Sequence, residues 1–91
     1  KNVKTGEETQ LPVDGMFVFV GYEPQNSFLP AGLELDPQGF IITDCEMRTN
    51  LPGLFAAGDI RSKMCRQVTT AVGDGATAAT AAFTYLEQLD A

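Results

Sequence analysis

The apolar residues of this 91-residue chain form two contrasting patterns, one towards each end. Near the N-terminus, residues 16–20 are all apolar without alternation, and a glycine stands on either side of them. A short run of aromatic and β-branched residues that does not alternate is typical of a strand buried on both faces. We therefore predict a central strand at 16–20, with Phe17 and Phe19 in a hydrophobic core.

The last third of the chain has apolar residues at spacings of three and four, which predicts one amphipathic helix from about Gln67 to Leu89. Gly73 and Gly75 within it each lower helix propensity by about 1 kcal/mol. We expect close packing of the helix against a sheet or another helix to offset that cost. The predicted buried stripe consists of Val68, Val72, Gly75, Ala79, Ala82, Phe83, Leu86 and Leu89.

Between these two ends, short segments alternate with turn residues. The turn signal in residues 5–8 predicts the end of a hairpin over residues 3–11. Three further short strands are predicted at 40–43, 46–49 and 54–57. The last of these is followed by a tight turn, an acid, a loop and the helix, so the pattern predicts an α/β fold.

Composition excludes several classes of function. The net charge is −6, which argues against nucleic acid and anionic membranes as partners. The chain has no histidine, so neither a Cys/His zinc site nor a Ser-His-Asp or Cys-His catalytic unit is possible. Cys45 and Cys65 are twenty residues apart and do not form a C-x-x-C pair, so we predict two reduced thiols in a cytoplasmic protein. We expect no catalytic residue and no metal ligand in this chain.

The segment around Gly58 and Asp59 is the best candidate for chemistry. A carboxylate at the end of a buried parallel strand lies where α/β folds bind ligands, and the N-terminus of the next helix points into the same crevice. Arg61, Lys63 and Arg66 place three of the six bases in this loop. Residue types alone leave the alternative open that Asp59 is only a turn residue and that the bases are solvated.

Residues 51–61, 66–68 and 71–76 resemble the C-terminal signature of low-molecular-weight, bacterial-type thioredoxin reductases, and residues 14–25 resemble an upstream segment of the same family. The resemblance covers essentially the whole chain. It implies a partial doubly wound, Rossmann-like FAD-binding domain, with a β-hairpin remnant and a long C-terminal helix. Residues 1–14 are then the end of an NADPH domain or the interdomain connection, and residues 15–91 the C-terminal half of the FAD-binding domain.

The resemblance also implies roles for five residues that would bind the cofactor. Gly58 would let the cofactor approach the backbone, and Asp59 would accept a hydrogen bond from the ribitol of FAD. Arg66, Gln67 and Val68 would lie along the flavin, with helix N–H groups near the pyrimidine edge of its ring. Donors placed there stabilise the negative charge of a reduced flavin.

Some family features are absent or altered. The chain has no G-x-G-x-x-G and no C-x-x-C, so the FAD pyrophosphate site, the NADPH site and the redox disulfide are expected outside this segment. Ser62 stands where family members often have Asp, and Gln25 where Asn is usual. Cys65 lies beside the flavin-contacting pair, where an aliphatic or aromatic residue was expected, and we interpret it as a small apolar contact.

The function implied by the resemblance is electron transfer from NADPH through FAD to a disulfide of thioredoxin or a related redox protein, in a homodimer. The segment alone is expected to be inactive, and the lack of an initiator Met indicates that it begins inside a longer chain. One alternative is a non-catalytic split or truncated module that pairs with another chain. Another is part of a ferredoxin–NAD(P) reductase or of the flavoprotein subunit of alkyl hydroperoxide reductase.

Overall fold

A long C-terminal helix is the one regular helix of the chain. The computed structural model describes all 91 residues, and in it helix α1 spans Val68–Asp90, which confirms the predicted helix to within one residue at each end. Gln67 precedes α1 in an extended conformation, and its backbone N–H donates to the Thr70 hydroxyl at 3.1 Å. A threonine at this position occupies a backbone donor that the helix itself leaves free, so it fixes where α1 begins.

The β structure consists of isolated bridges at the positions where strands were predicted. Residues 40–43, 46–49 and 54–57 each contribute a paired residue, but no segment extends into a ladder. Each segment lies between turns and is too short to form a ladder of several paired residues. The bridges are Leu35 with Ile41 and Arg48 with Phe55, both antiparallel, and Ile41 with Arg61, parallel. The parallel bridge brings the loop after Gly58 beside residues 40–43, since the Ser62 N–H donates to the Ile41 carbonyl at 2.7 Å.

We call residues 24–91 the body, because the buried side chains all lie there. The buried apolar residues are Phe40, Ile41, Met47, Ala56 and Ala81. Helix α1 packs on the loops through one face, which includes the buried Ala81, and through Tyr85, whose ring meets Phe55 edge-on with centroids 6.2 Å apart. Small residues on this face let the helix approach the loops closely, so a body with little regular structure still has a core.

The predicted buried stripe of α1 is wrong for this chain. Val68, Val72, Phe83, Leu86 and Leu89 are 58–80% exposed, because α1 packs through a face about a third of a turn away. The two helix glycines do not pack closely either: a Cβ added at either would meet nothing within 4 Å. The helix was therefore located correctly, but its contact face was not.

Residues 1–21, which we call the N-terminal arm, extend away from the body, and the chain measures 68 × 28 × 20 Å. Met16–Val20 are 66–91% exposed and form no strand, so the predicted doubly buried strand is wrong for this chain. Phe17 and Phe19 stack on each other, with centroids 6.3 Å apart, and do not enter a core. A strand buried on both faces needs neighbouring strands and covering layers, and the body provides neither here.

The predicted N-terminal hairpin is only a turn. The Asn2 N–H donates to the Glu7 carbonyl at 2.9 Å, and the Gly6 N–H donates to the Asn2 carbonyl at 2.7 Å. No strand pairing continues from this turn. Helix α1 is not apolar enough to cross a membrane, and the chain has no other helix that could.

Candidate functional site

The turn at Gly58-Asp59 lies against the first turns of α1. Gly58 is buried and has φ = +84°, a conformation that costs other L-residues strain. Its carbonyl accepts the Arg61 N–H at 3.1 Å, which closes the turn. A Cβ at this position would lie 3.7 Å from the Ala71 Cβ, an ordinary contact, so glycine is required by the backbone angle and not by lack of space.

The Asp74 carboxylate joins this turn to α1. Its Oδ2 accepts the Gly58 N–H at 3.0 Å, Arg61 Nη1 at 2.7 Å and Lys63 Nζ at 2.8 Å. The three charged side chains are only 10–12% exposed. Burial of the carboxylate raises its pKa, but the hydrogen bonds from Lys63, Arg61 and Gly58 outweigh burial and lower the pKa of Asp74 to about 2.

Asp74 is the residue that sequence reasoning missed. It was noted only as part of the matched segment 71–76, with no role of its own. One signal was present, since an aspartate in the interior of a helix, between two glycines, is unfavourable for helix formation and calls for a tertiary explanation. Its partners Arg61 and Lys63 precede the helix by several residues, so helical spacing could not identify them.

Arg66 holds the other side of the turn. Its Nε donates to the Asp59 carbonyl at 2.9 Å and its Nη2 to the Arg61 carbonyl at 3.0 Å. Its guanidinium carbon lies 3.6 Å from the centroid of the Phe40 ring, a cation–π contact. The interpretation of the loop bases as solvated is therefore wrong, because all three contact the protein itself.

The Asp59 carboxylate is the polar group of this turn that remains free. Asp59 is exposed, and its side chain makes no hydrogen bond or ion pair within the chain. Beside it is an open cleft of about 270 Å³ between the turn and residues 22–25. The cleft is lined by Tyr22, Glu23, Pro24, Gln25, Phe28, Phe40, Asp59, Ile60 and Arg66.

The start of α1 presents backbone donors near this cleft. Val68 and Thr69 are exposed, and the first N–H groups of a helix have no partner within it, whereas the Gln67 N–H is bonded to the Thr70 hydroxyl. Arg66 links the two features, because it precedes Gln67 in the chain and bonds to the Asp59 carbonyl. We call the Asp59 side chain together with the start of α1 the edge. It offers a free anionic acceptor and free N–H donors, a set suited to a ligand with both hydroxyl groups and an electron-rich end.

The five predicted site residues thus fall into two groups. Asp59, Gln67 and Val68 are exposed at this edge, available to a ligand. Gly58 is buried, and Arg66 turns its guanidinium onto Phe40 and the turn carbonyls. The two cysteines are free thiols, and both are exposed, so the interpretation of Cys65 as a small apolar contact is wrong for this chain.

Comparison with known proteins places this edge in context. The family model described as pyridine nucleotide-disulphide oxidoreductase matches residues 1–75. A thioredoxin reductase of Listeria innocua is 53% identical over 92% of the chain, and a 34.2 kDa protein in the rubredoxin operon of Clostridium pasteurianum is 49% identical over 94%. The crystal structure of Lactococcus lactis thioredoxin reductase superimposes on 97% of the chain with a TM-score of 0.75 and 52% identity. The resemblance seen in the sequence is confirmed.

The similarity involves only part of each relative. The chain spans 26% of the length of the Listeria protein, 28% of the Clostridium protein and 29% of the Lactococcus chain. The chain therefore corresponds to less than a third of the length of each of these relatives.

Proposed function

This chain belongs to the pyridine nucleotide-disulphide oxidoreductase family, and we propose that it forms the C-terminal half of the FAD-binding domain of a flavoprotein disulfide reductase. In the proposed enzyme, electrons pass from NADPH through FAD to a disulfide of thioredoxin. The observation that carries the proposal is the free Asp59 carboxylate beside the exposed start of α1. Homodimeric assembly and a cytoplasmic location are further parts of the proposal.

The residues at this edge fit the groups that FAD would present. The ribitol chain carries hydroxyl donors, and Asp59 is an anionic acceptor with no partner inside the chain. The flavin ring has an electron-rich pyrimidine edge, and the first N–H groups of α1, at Val68 and Thr69, belong to exposed residues and have no partner in the helix. Gly58 adopts the positive φ of +84° that the turn before Asp59 requires.

Each group of this chain would have a defined task towards the cofactor. Bound FAD would supply the two-electron carrier. Asp59 would orient the ribitol, and the positive end of the α1 dipole would stabilise negative charge on the pyrimidine edge. Arg66 does not contact the cofactor in this proposal but holds the Asp59 carbonyl in place, a change from the role that the family resemblance implied. The isolated chain is expected to purify without flavin and to be inactive.

The name of one relative favours a second candidate. The Clostridium protein, 49% identical to this chain, is described as a protein in a rubredoxin operon, so a small electron carrier of the rubredoxin type is a second candidate acceptor. The acceptor is decided outside the segment, by whether the same protein carries a C-x-x-C pair. Sequencing the gene on both sides of the segment discriminates, since a C-x-x-C supports thioredoxin reduction and its absence supports another acceptor.

A chimeric enzyme tests the cofactor assignment. We define the chimeric reductase as the Lactococcus lactis thioredoxin reductase in which this chain replaces the segment that it matches. We expect it to purify with stoichiometric FAD and to reduce thioredoxin with NADPH at a rate within about tenfold of the host enzyme, a barrier change of about 1.4 kcal/mol. A chimera that folds and dimerises like the host but contains no flavin would contradict the proposal.

A further inference from the structure

We propose that Asp74 is a positioning residue of the flavin site, one that sets the Gly58-Asp59 turn so that the Asp59 carboxylate faces the cofactor. This inference rests on the proposed function, because it concerns how the same site is held in shape. The resemblance to known reductases assigned no function to Asp74.

The first argument is convergence on a single oxygen. Asp74 Oδ2 accepts hydrogen bonds from the backbone of Gly58 and from both Arg61 and Lys63. The backbone bond fixes the residue directly before Asp59, and the Arg61 bond fixes the side chain two residues after it. One carboxylate on a rigid helix therefore determines the position of both ends of the turn.

The second argument is that the turn is held from two sides while its one free group remains exposed. From the opposite side, Arg66 bonds to the carbonyls of Asp59 and Arg61. Main-chain groups at 58, 59 and 61 are thereby engaged, and the Asp59 side chain is left free at the cleft. This arrangement orients a ligand-binding carboxylate without neutralising it, because the neighbouring cations are paired with Asp74 or packed on Phe40.

The third argument comes from the unfavourable placement of Asp74. It is the seventh residue of α1, where an aspartate gains nothing from the helix dipole and lowers helix propensity. Its carboxylate is also largely withdrawn from water, at 12% exposure. The salt bridges offset these costs, but an apolar residue would avoid them altogether. Holding the turn accounts for a carboxylate at this position.

The test compares three variants of the chimeric reductase. Asp74→Asn removes the charge but keeps an oxygen that can accept the Gly58 N–H, whereas Asp74→Leu removes both. Asp90→Asn is the matched control, with the same change on the same helix at an exposed residue that makes no side-chain contact. We expect the FAD dissociation constant to rise about tenfold or more for Asp74→Leu, less for Asp74→Asn, and not to change for Asp90→Asn.

The visible circular dichroism of the bound flavin distinguishes a positioning role of Asp74 from a role in protein stability alone. A positioning role predicts that the flavin retained by Asp74→Asn has an altered visible spectrum and an altered reduction potential. A purely structural role predicts a lower unfolding temperature with an unchanged spectrum, potential and FAD dissociation constant in the folded enzyme, and that result would overturn the proposal. If Asp74→Asn fails to fold, Asp74→Asn with Lys63→Met removes one of the two cations left without a carboxylate and is measured in the same way.

The two proposals fail differently. A folded parent chimera without FAD contradicts the proposed function, whatever Asp74 does. A parent chimera that binds FAD, with Asp74 variants that bind it equally well and with the same spectrum, leaves the proposed function intact and contradicts only the role of Asp74.

Discussion

The N-terminal arm is apolar but exposed, whereas the Gly58 turn lies among charged residues but is well ordered. This is the opposite of what their hydrophobicity alone would suggest. The arm contains the most apolar run of the chain, yet Met16–Val20 are exposed and unpaired. The turn is followed by a loop rich in charged residues, yet Gly58 is buried, and Gly58, Arg61 and Lys63 each donate one hydrogen bond to Asp74. Apolar character alone does not order a segment, because burial requires a second surface.

The difference lies in where each partner is found. The turn has its partner in α1, sixteen residues further along the same chain, so the Gly58–Asp74 bond forms within the structure described. The arm and the exposed apolar stripe of α1, which includes Val72 and Phe83, have no such partner in this chain. In the proposed enzyme both surfaces would be covered by the rest of the FAD-binding domain. The relatives are more than three times as long as this chain, so they have enough further residues to do this.

The largest effect is expected from shortening one aromatic side chain of the arm. Phe19 is 89% exposed, so Phe19→Ala should change the stability of the isolated chain by no more than about 0.5 kcal/mol. In the chimeric reductase, where we expect a buried strand, the same change should cost about 3–5 kcal/mol. Urea unfolding followed by circular dichroism measures the stability change in both proteins. The control is Val3→Ala, because Val3 is 95% exposed. Equal effects in the two proteins would mean that the arm stays uncovered.

The next effect concerns the free carboxylate of the turn. Asp59→Ala in the chimeric reductase should weaken FAD binding by about 1.5–3 kcal/mol, tenfold or more, because a charged hydrogen bond is lost. Stability without FAD should not change, since the side chain contacts nothing in the chain. Equilibrium dialysis with fluorescence detection gives the dissociation constant. Flavin retention equal to that of the parent would reduce Asp59 to a turn residue.

A pair of glycine substitutions should have opposite signs. Gly58→Ala forces an alanine to φ = +84° and should destabilise the chimeric reductase by about 1–2 kcal/mol. Gly73→Ala improves helix propensity and meets nothing within 4 Å, so it should stabilise by up to about 1 kcal/mol. Urea denaturation measures both. Destabilisation by Gly73→Ala would show that another part of the enzyme packs directly on α1 at that point.

The smallest effect is the pH dependence of the Asp74 contacts. The pKa of Asp74 in the folded chain is about 2, below the ordinary value of 3.8. Its contribution to stability is therefore complete above about pH 4 and is lost as the pH falls through 2. The stability difference between the parent chimera and Asp74→Asn should stay constant from neutral pH to about pH 4 and shrink below it. A difference that already shrinks near neutral pH would contradict the lowered pKa.

Local patterns predicted local structure well. The helix was found within one residue at each end, and the bridged residues Ile41, Arg48 and Phe55 lie within the predicted short strands. The sequence also identified Gly58 and Asp59 as a turn at the start of a candidate site. These features depend on residue spacing and turn chemistry, which are properties of neighbouring residues.

What the sequence by itself determined was therefore the position of α1, the turn and the family. Only the tertiary structure decided which face of α1 is buried, that Arg66 packs on Phe40, and that Asp74 holds Gly58. The physical reason is that helix periodicity specifies that two faces exist, whereas the face that is buried depends on what the rest of the chain places against it. A carboxylate and donors that lie 11, 13 and 16 residues before it leave no periodic signal, and their pairing is decided by packing.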